Sequence, residues 1–171
     1  MTVEGDVARL LPLVRLARTV AAALDAAGAP HPASVGLILT GDDELARLNR
    51  THLGRRGPTD VLSFPLLPPE AFPPHEGSPE RSDRPPVPFV LPPGARPHLG
   101  DIVVSVERAI EQAESGRGGQ TGDFRWSPAD ELRLLVTHGA LHLCGWDHAA
   151  PAEEAPMRAL ERRLLGLADR P

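Results

Sequence analysis

The spacing of apolar residues along the first third of the chain predicts helices and strands in alternation. A first helix over about 12–27 is indicated by apolar positions three and four residues apart, which are Val14, Ala17, Ala21 and Leu24. The short apolar run at 35–40 predicts a buried strand, and the acidic residues after Gly41 predict the first turn of a second helix. We expect that helix to turn three leucines inward, namely Leu45, Leu48 and Leu53. The segment 59–64 is strand-like.

A proline-rich segment follows at about 65–98. Twelve of the 33 residues from 65 to 97 are prolines, and few large apolar residues lie among them. Such a segment buries too little apolar surface to offset the entropy lost on ordering. We therefore expect a mostly irregular loop inserted between two strands of one domain, with a proline-rich binding motif as the alternative.

Beyond this segment the pattern predicts one strand and three helices. A strand at 99–105 leads into a helix at 106–115, which Ser105 is placed to cap. A last amphipathic helix is expected at 153–167, and Pro156 fits it only if the helix begins close to that residue.

The helix between these two has the clearest start signal of the chain. Ser127 suits the N-cap, Pro128 suits the first helical position, and Asp130 completes a capping box. Apolar residues surround most of this helix, so we expect it at the centre of the domain. The element order predicts an α+β fold, a single domain over 1–171 in which a small mixed β-sheet is covered by helices.

Composition and charge narrow the class of protein. A chain of 171 residues can form one domain with its own core. Its one cysteine permits no internal disulfide, which favours a reducing compartment. The formal net charge of −5 argues against a surface coated for non-specific nucleic-acid binding, although it allows a local basic groove. The apolar run at 10–14 is too short for a membrane span or a secretory signal.

Histidines on the central helix carry the strongest chemical signal. Three of the seven histidines lie within eleven residues, spaced H-x-x-x-H-x-x-G-x-x-H from His138 to His148. Side chains four apart share one helix face, so His138 and His142 can bind one metal ion. Gly145 can take the positive φ that ends a helix and can return His148 as a third ligand. Three nitrogen ligands leave one tetrahedral position open, as in catalytic zinc sites, so the central helix is predicted to bind metal.

Hydrolysis is the chemistry expected of such a centre. A metal ion with an open position lowers the pKa of water toward ~7 and stabilises a developing oxyanion. The histidine spacing coincides with the metzincin protease pattern H-E-x-x-H-x-x-G-x-x-H. Gly139 stands where those proteases have their glutamate, and because glycine cannot act as a general base, that route to peptide hydrolysis is disfavoured. Cys144 is expected to face away from the histidines as a small buried residue.

The wider pattern resembles the YbeY-type endoribonucleases, a family of rRNA maturation factors. The stretch 138–148 is similar to the histidine signature of that family. Three further segments resemble its other motifs in the same order along the chain: L-N at 48–49 with P-T-D-V-L-S-F-P at 58–65, L-G-D-I-V-V-S at 99–105, and E-L-x-x-L-V at 131–136. The resemblance spans roughly 35–165, apart from the proline-rich segment.

This resemblance implies a metal-dependent endoribonuclease that cleaves single-stranded RNA during small-subunit rRNA maturation and ribosome quality control. It implies that His138, His142 and His148 hold one zinc ion per chain. The implied partners are ribosomal RNA, the small ribosomal subunit and its assembly factors, in the cytoplasm and with no role for a membrane. Nothing in the sequence identifies the general base.

One position departs from the family pattern. An arginine commonly lies six residues before the threonine of the second motif, and this chain has Leu53 there. Arg50, Arg55 and Arg56 lie close by, and Arg55 and Arg56 are our candidates for binding phosphate in its place. The alternative is that all three are solvated arginines.

Other polar residues are weaker candidates. Asp147 is placed either to orient a histidine ligand or to stabilise a turn. Thr59, Asp60 and Ser63 either shape the start of a strand or line the substrate groove. Trp146 is expected to anchor the turn, with base stacking as the alternative.

Two other functions compete with the ribonuclease hypothesis. One is a zinc hydrolase of another bond, such as a protease, which the metzincin-like spacing favours. The other is a non-catalytic assembly factor in which metal mainly stabilises the fold, which the missing general base favours.

Overall fold

The structure, a computed structural model, describes residues 2–3, 13–76, 78, 94–115 and 127–167. Its elements in chain order are β1 (Thr2–Val3), α1 (Leu13–Ala26), β2 (Ser34–Thr40), α2 (Asp42–Leu53), β3 (Val61–Pro65), a 3-10 turn (Pro69–Ala71), β4 (His98–Ser105), α3 (Val106–Glu114), α4 (Pro128–Leu143) and α5 (Pro151–Leu164). The α+β prediction and the predicted order of the larger elements are confirmed, whereas the short strand β1 was not predicted.

The strands form one mixed sheet in the order β1-β2-β4-β3. β1 and β4 both pair in parallel with β2, while β3 runs antiparallel to β4. Val103 and Val104 of β4 are buried and pair with strands on both sides. Because β4 is flanked on both edges, it forms the apolar floor on which the helices pack.

Helix α4 is the centre of the domain, as its sequence predicts. It contacts α1, α3, α5 and the strands β3 and β4. Ser127 caps it, accepting a hydrogen bond from the Asp130 amide at 3.2 Å, and the Asp130 carboxylate accepts one from the Ser127 amide at 3.3 Å. Leu132 and Val136 on α4 are fully buried. Packing on several sides fixes the orientation of every side chain that α4 presents.

The inward face of α1 differs from the prediction. Val14, Ala17 and Ala21 are exposed, and the buried stripe is Leu16, Val20 and Ala23. Both stripes have helical spacing because apolar residues occur all around α1. The observed stripe lies in the core cluster, and Leu24 of the predicted stripe is half-buried against it, whereas the rest of the predicted face also carries Arg18, whose charge is unfavourable to bury.

Two predictions about α2 and α5 are also corrected. Leu45 is buried, but Leu53 is 53% exposed because it ends α2 beside the loop that follows. α5 begins at Pro151, so Pro156 lies inside the helix. Pro151 occupies the first helical position, where a proline costs nothing, and it therefore sets the start of the helix.

The described part of the proline-rich segment is more ordered than expected. Its residues 66–76, 78 and 94–97 include the 3-10 turn and the buried side chain of Phe72. Phe72 packs into a core cluster with Leu99, Leu141 and Met157. One large aromatic residue gives this stretch enough apolar surface to dock, which a proline count overlooks. Our prediction of an irregular loop at 77 and 79–93 lies outside the described residues. The stretch 116–125, whose glycines and arginines also predict a loop, lies outside them as well.

None of the described helices combines the length and apolar character needed to cross a membrane.

Candidate metal centre

The first two histidines of the motif lie one turn apart on α4, as predicted. The Nε2 atoms of His138 and His142 are 3.0 Å apart. Two imidazoles bound to one tetrahedral zinc ion at about 2.0–2.1 Å would hold their nitrogens ~3.3 Å apart. The pair is therefore arranged to share one cation.

The third histidine is returned by the turn that ends α4. Gly145 has a φ of 82°, and its amide donates to the His142 carbonyl at 3.1 Å. The Trp146 amide donates to the Leu141 carbonyl at 3.1 Å, which completes a Schellman motif. This turn brings the ring centroid of His148 within 5.1 Å of His138 and 5.0 Å of His142. The role predicted for Gly145 is confirmed.

A carboxylate that sequence reasoning missed holds the first histidine. The Nδ1 atom of His138 lies 2.7 Å from Oε1 of Glu161 on α5, and the two residues are 9% and 5% exposed. With the proton on Nδ1 donated to this carboxylate, Nε2 keeps its lone pair toward the other histidines. Glu161 is 23 residues from His138 in sequence. The sequence signal available for Glu161 was its position directly after the apolar stripe of α5, and no nearby residue indicated that it would contact a histidine.

The second histidine is held in its neutral form. Burial lowers the pKa of His142 from 6.5 to about 4, with further lowering by His138 and His148. Asp147 opposes this shift. A neutral imidazole is the form that binds metal, so His142 has the correct protonation state at neutral pH.

The residues present fit a divalent metal ion of borderline softness. One ligand atom from each of His138, His142 and His148 lies within 4.8 Å of the others. His148 is exposed, which leaves the cluster open on the solvent side. Cys144 is buried, and burial raises the pKa of its thiol to about 12, so it offers no thiolate at neutral pH. The expectation that Cys144 acts as a buried apolar residue agrees with the structure.

The three histidines lie in a groove of about 680 Å³ between α4, β3 and the loop after α2. Its charged lining residues are one arginine, Arg55, and three carboxylates, those of Asp60, Glu131 and Asp147. With neutral histidines the described lining is therefore net negative. A divalent cation at the histidines offsets that charge, and a polyanion gains little attraction from the groove alone.

The three candidate arginines differ in whether they line the groove. Arg55 lines the groove, and its amide donates to the Asn49 carbonyl at 3.3 Å. Asn49, 6% exposed, also donates from Nδ2 to the Gly57 carbonyl at 2.9 Å, which shapes the loop carrying Arg55. Arg50 and Arg56 are exposed and are not among the described lining residues. Leu53, where the resemblance led us to expect an arginine, also lines the groove.

Gly139 faces the sheet rather than the groove. A Cβ atom built on Gly139 would lie 2.6 Å from a methyl carbon of Ile102 and 3.2 Å from Ser63 Oγ. The Gly139 carbonyl accepts a hydrogen bond from Ser63 at 3.0 Å. The absence of a side chain therefore lets α4 approach β3 and β4 closely, and a glutamate does not fit there.

The polar residues of the second motif both line the groove and shape the start of β3, which the sequence analysis gave as alternatives. Thr59, Asp60 and Ser63 line the groove, and they also make local hydrogen bonds. The Asp60 carboxylate accepts from the Val61 amide at 2.9 Å and from Gln112 Nε2 at 3.3 Å. This carboxylate is thus held by β3 and α3 at once.

The residues beside the third histidine act mainly on the turn. Asp147 accepts a hydrogen bond from the His148 amide at 2.7 Å, so it stabilises the turn, while Glu161 is the carboxylate on a histidine ring. Trp146 stacks on His75 with ring centroids 3.9 Å apart and planes 8° from parallel. His75 Nε2 lies 3.3 Å from the Gly145 carbonyl. The proline-rich segment therefore covers one face of Trp146, in agreement with the anchoring role.

Comparison with known sequences gives consistent matches over most of the chain. A family profile described as Endoribonuclease YbeY matches residues 10–168. The chain is 40% identical over 149 residues to the Endoribonuclease YbeY of Chloroflexus aurantiacus, covering 86% of this chain and 81% of that protein. It is 41% identical over 144 residues to the Endoribonuclease YbeY of Salinispora tropica, covering 84% and 79%.

A solved structure shares the fold. The solution structure of TM1509 from Thermotoga maritima superposes with a TM-score of 0.54 at 23% identity, covering 98% of this chain and 89% of that one. At this identity the match supports the architecture of sheet and helices described above.

Proposed function

The chain belongs to the Endoribonuclease YbeY family, and from this membership we propose that it is a metal-dependent endoribonuclease that cleaves single-stranded RNA. The single observation that carries the metal dependence is the convergence of the three histidine nitrogens within 4.8 Å. The competing protease function is not favoured, because Gly139 packs against the sheet where a zinc protease needs a carboxylate.

The ion that we propose is zinc, one per chain, held by His138, His142 and His148. Three neutral nitrogen ligands suit zinc in a site with an open position. When bound, the cation supplies Lewis-acid activation of water and stabilisation of negative charge on a phosphoryl group.

The residues of the chain supply orientation and substrate binding. Glu161 holds the Nδ1 proton of His138 and so directs Nε2 of that ring toward the other ligands. Arg55, on the loop fixed by Asn49, is placed to bind the phosphate of a strand lying along the groove. Arg56 is not among the described lining residues, so we assign the phosphate contact to Arg55.

The biological substrate that we propose is precursor rRNA of the small ribosomal subunit. The basis is family membership together with a groove that is open along one side and bordered by exposed polar residues. The small subunit and its assembly factors are the proposed partners, and the cytoplasm, where ribosomes are assembled, is the proposed location.

The test is cleavage of a labelled single-stranded rRNA precursor by the purified chain, with and without chelator, and with casein as a parallel substrate. We expect RNA cleavage that chelator abolishes and zinc restores, and no cleavage of casein. His142→Ala should be inactive, whereas His98→Ala, a substitution at an exposed histidine on β4, should retain activity. Casein cleavage would contradict the proposal, and so would a folded protein that binds zinc yet leaves RNA intact.

A further inference from the structure

A second polar cavity lies on the side of α4 that faces α1. It has a volume of about 280 Å³, and its charged lining residues are Arg15 and Arg18 of α1 and Arg133 of α4. None of its described lining residues is acidic. We call these three residues the arginine cradle. The chain as a whole has a formal net charge of −5, so three arginines around one small cavity are a local reversal of charge.

The positions of these arginines are unfavourable for the isolated protein. Arg15 lies in the first turn of α1, which contains no acidic residue, so its charge opposes the positive end of the helix dipole. Arg15 and Arg18 are three residues apart on one helix, a spacing at which like charges repel. Within the described residues, neither has a carboxylate partner. A bound anion would relieve both effects.

Among the described residues, the donor groups of the cradle make no direct hydrogen bond to a carboxylate. Arg133 forms an ion pair with Asp130 at 3.7 Å, a distance beyond a direct hydrogen bond. The hydroxyls of Thr19 and Thr137 donate to backbone carbonyls within their own helices. Recognition in this cavity therefore falls to the guanidinium groups, whose planar donor pairs match phosphate oxygens.

The catalytic groove lacks the positive charge that an RNA strand needs. Its described lining has one arginine against three carboxylates. Affinity for a polyphosphate backbone comes mainly from cations that contact phosphates. Arg133 precedes His138 by five residues on α4, which corresponds to a rise of about 7.5 Å along the helix axis and a rotation of about 140° around it. The cradle and the groove therefore lie on different faces of the same helix, and an RNA strand several nucleotides long would contact both by passing around α4.

We propose that the arginine cradle binds backbone phosphates of the RNA outside the cleavage site and supplies affinity that the groove does not. This inference rests on the proposed ribonuclease function and deepens it by assigning a second contact surface for the same substrate. The contact is with phosphate, so it is independent of base sequence.

The test is the salt dependence of RNA binding by the full-length, zinc-loaded chain. The probe is a fluorescein-labelled single-stranded dodecauridylate, titrated at several salt concentrations, with its integrity checked on a gel after each titration. The variants replace Arg15, Arg18 and Arg133 together with alanine, or together with lysine. The control variant replaces Arg47, Arg96 and Arg158 with alanine, so that the net charge changes equally. Melting temperatures establish that each variant is folded.

For single-stranded nucleic acid the slope of log K against log salt is about −0.7 per phosphate contact, so the triple alanine variant should lose about 2 units of slope. At low salt its affinity should fall on the order of tenfold or more. The lysine variant should keep most of the slope, and the control variant should match the wild type.

Three results would overturn the cradle. They are an alanine variant with the wild-type slope, a control variant with the same loss of slope, and a lysine variant whose slope is as shallow as that of the alanine variant. Chelator-sensitive RNA cleavage by the wild type distinguishes failure of the cradle from failure of the proposed ribonuclease function. If the wild type cleaves and the slopes are equal, only the cradle is wrong. If it neither cleaves nor binds RNA, the proposed function fails as well.

Discussion

Glu161 provides the sharpest test of how the histidine cluster is organised. Glu161→Ala removes the carboxylate that lies 2.7 Å from His138 Nδ1. Because both residues are buried, the substitution leaves the Nδ1 proton without this acceptor at a buried position. A hydrogen bond to a charged group contributes about 1.5–3 kcal/mol, and an unsatisfied buried donor costs about 1–3 kcal/mol. The ring can then rotate away from the orientation in which Nε2 faces His142.

The expected loss of metal affinity follows from these contacts. Removing the hydrogen-bond partner of a histidine ligand typically weakens metal binding by about 10–100-fold, which corresponds to about 1.4–2.8 kcal/mol. The free energy of the hydrogen bond and the expected loss of metal-binding free energy are similar in size. This similarity is expected if the hydrogen bond acts by holding the ring in the orientation that binds metal. Glu161→Gln keeps an acceptor for the Nδ1 proton, so it should recover most of the affinity.

The assay is competition for zinc between the protein and a chromophoric chelator. Glu154→Gln is the matched control, because Glu154 lies on the same helix and pairs with Arg158 rather than with a histidine. Urea denaturation of the metal-free variants, run in parallel, measures the loss of stability separately. If Glu161→Ala binds zinc as tightly as the wild type while its stability falls, the carboxylate is a structural element of α5 and the orientation argument is refuted.

Arg55→Ala should lower kcat/KM for RNA by about tenfold or more, as loss of a charge-assisted phosphate contact does, whereas Arg56→Ala should change it little; equal effects would contradict the assignment. Gly139→Ala should lower the free energy of unfolding by up to about 2 kcal/mol in urea denaturation, because overpacking costs about 1–3 kcal/mol and the gain in helix propensity offsets about 1 kcal/mol of that cost. Cys144, whose pKa is raised to about 12 by burial, should not react with a thiol reagent at neutral pH until the protein is unfolded; rapid reaction of the native protein would show the burial to be wrong. Burial, with smaller contributions from His138 and His148, lowers the pKa of His142 from 6.5 to about 4, so in that range the unfolded chain binds a proton at this group and the folded chain does not. The metal-free protein should therefore lose at most about 3 kcal/mol of stability from this group as pH falls from 6.5 to about 4, and His142→Gln should remove that part of the pH dependence.

Local signals were sufficient for the helix and turn that present the ligands. The capping box at Ser127 and the positive φ of Gly145 each depend on residues within a few positions, so the sequence predicts both. The pairing of His138 with His142 follows from helix geometry alone. The end of α4 and the turn at Gly145 together determine where His148 lies.

Contacts between distant segments were not predictable in the same way. The pairing of Glu161 with His138 depends on how α5 crosses α4, which no local pattern encodes. The burial of Phe72 depends on side chains from β4, α4 and α5 that pack in the same cluster. The choice between two apolar stripes on α1 depends on how α1 packs against α4. In each of these three cases the local sequence was compatible with more than one arrangement, and tertiary packing determined which one formed.

The placement of Glu161 on α5 has a consequence for protein synthesis. The chain emerges from the ribosome N-terminus first. β3 and the loop after α2 precede α5 in the chain, and the ring of His138 gains its carboxylate only after α5 has been translated and has docked on α4. A nascent chain in which α5 has not yet docked lacks the carboxylate that orients His138, so we expect it to bind metal more weakly than the folded chain.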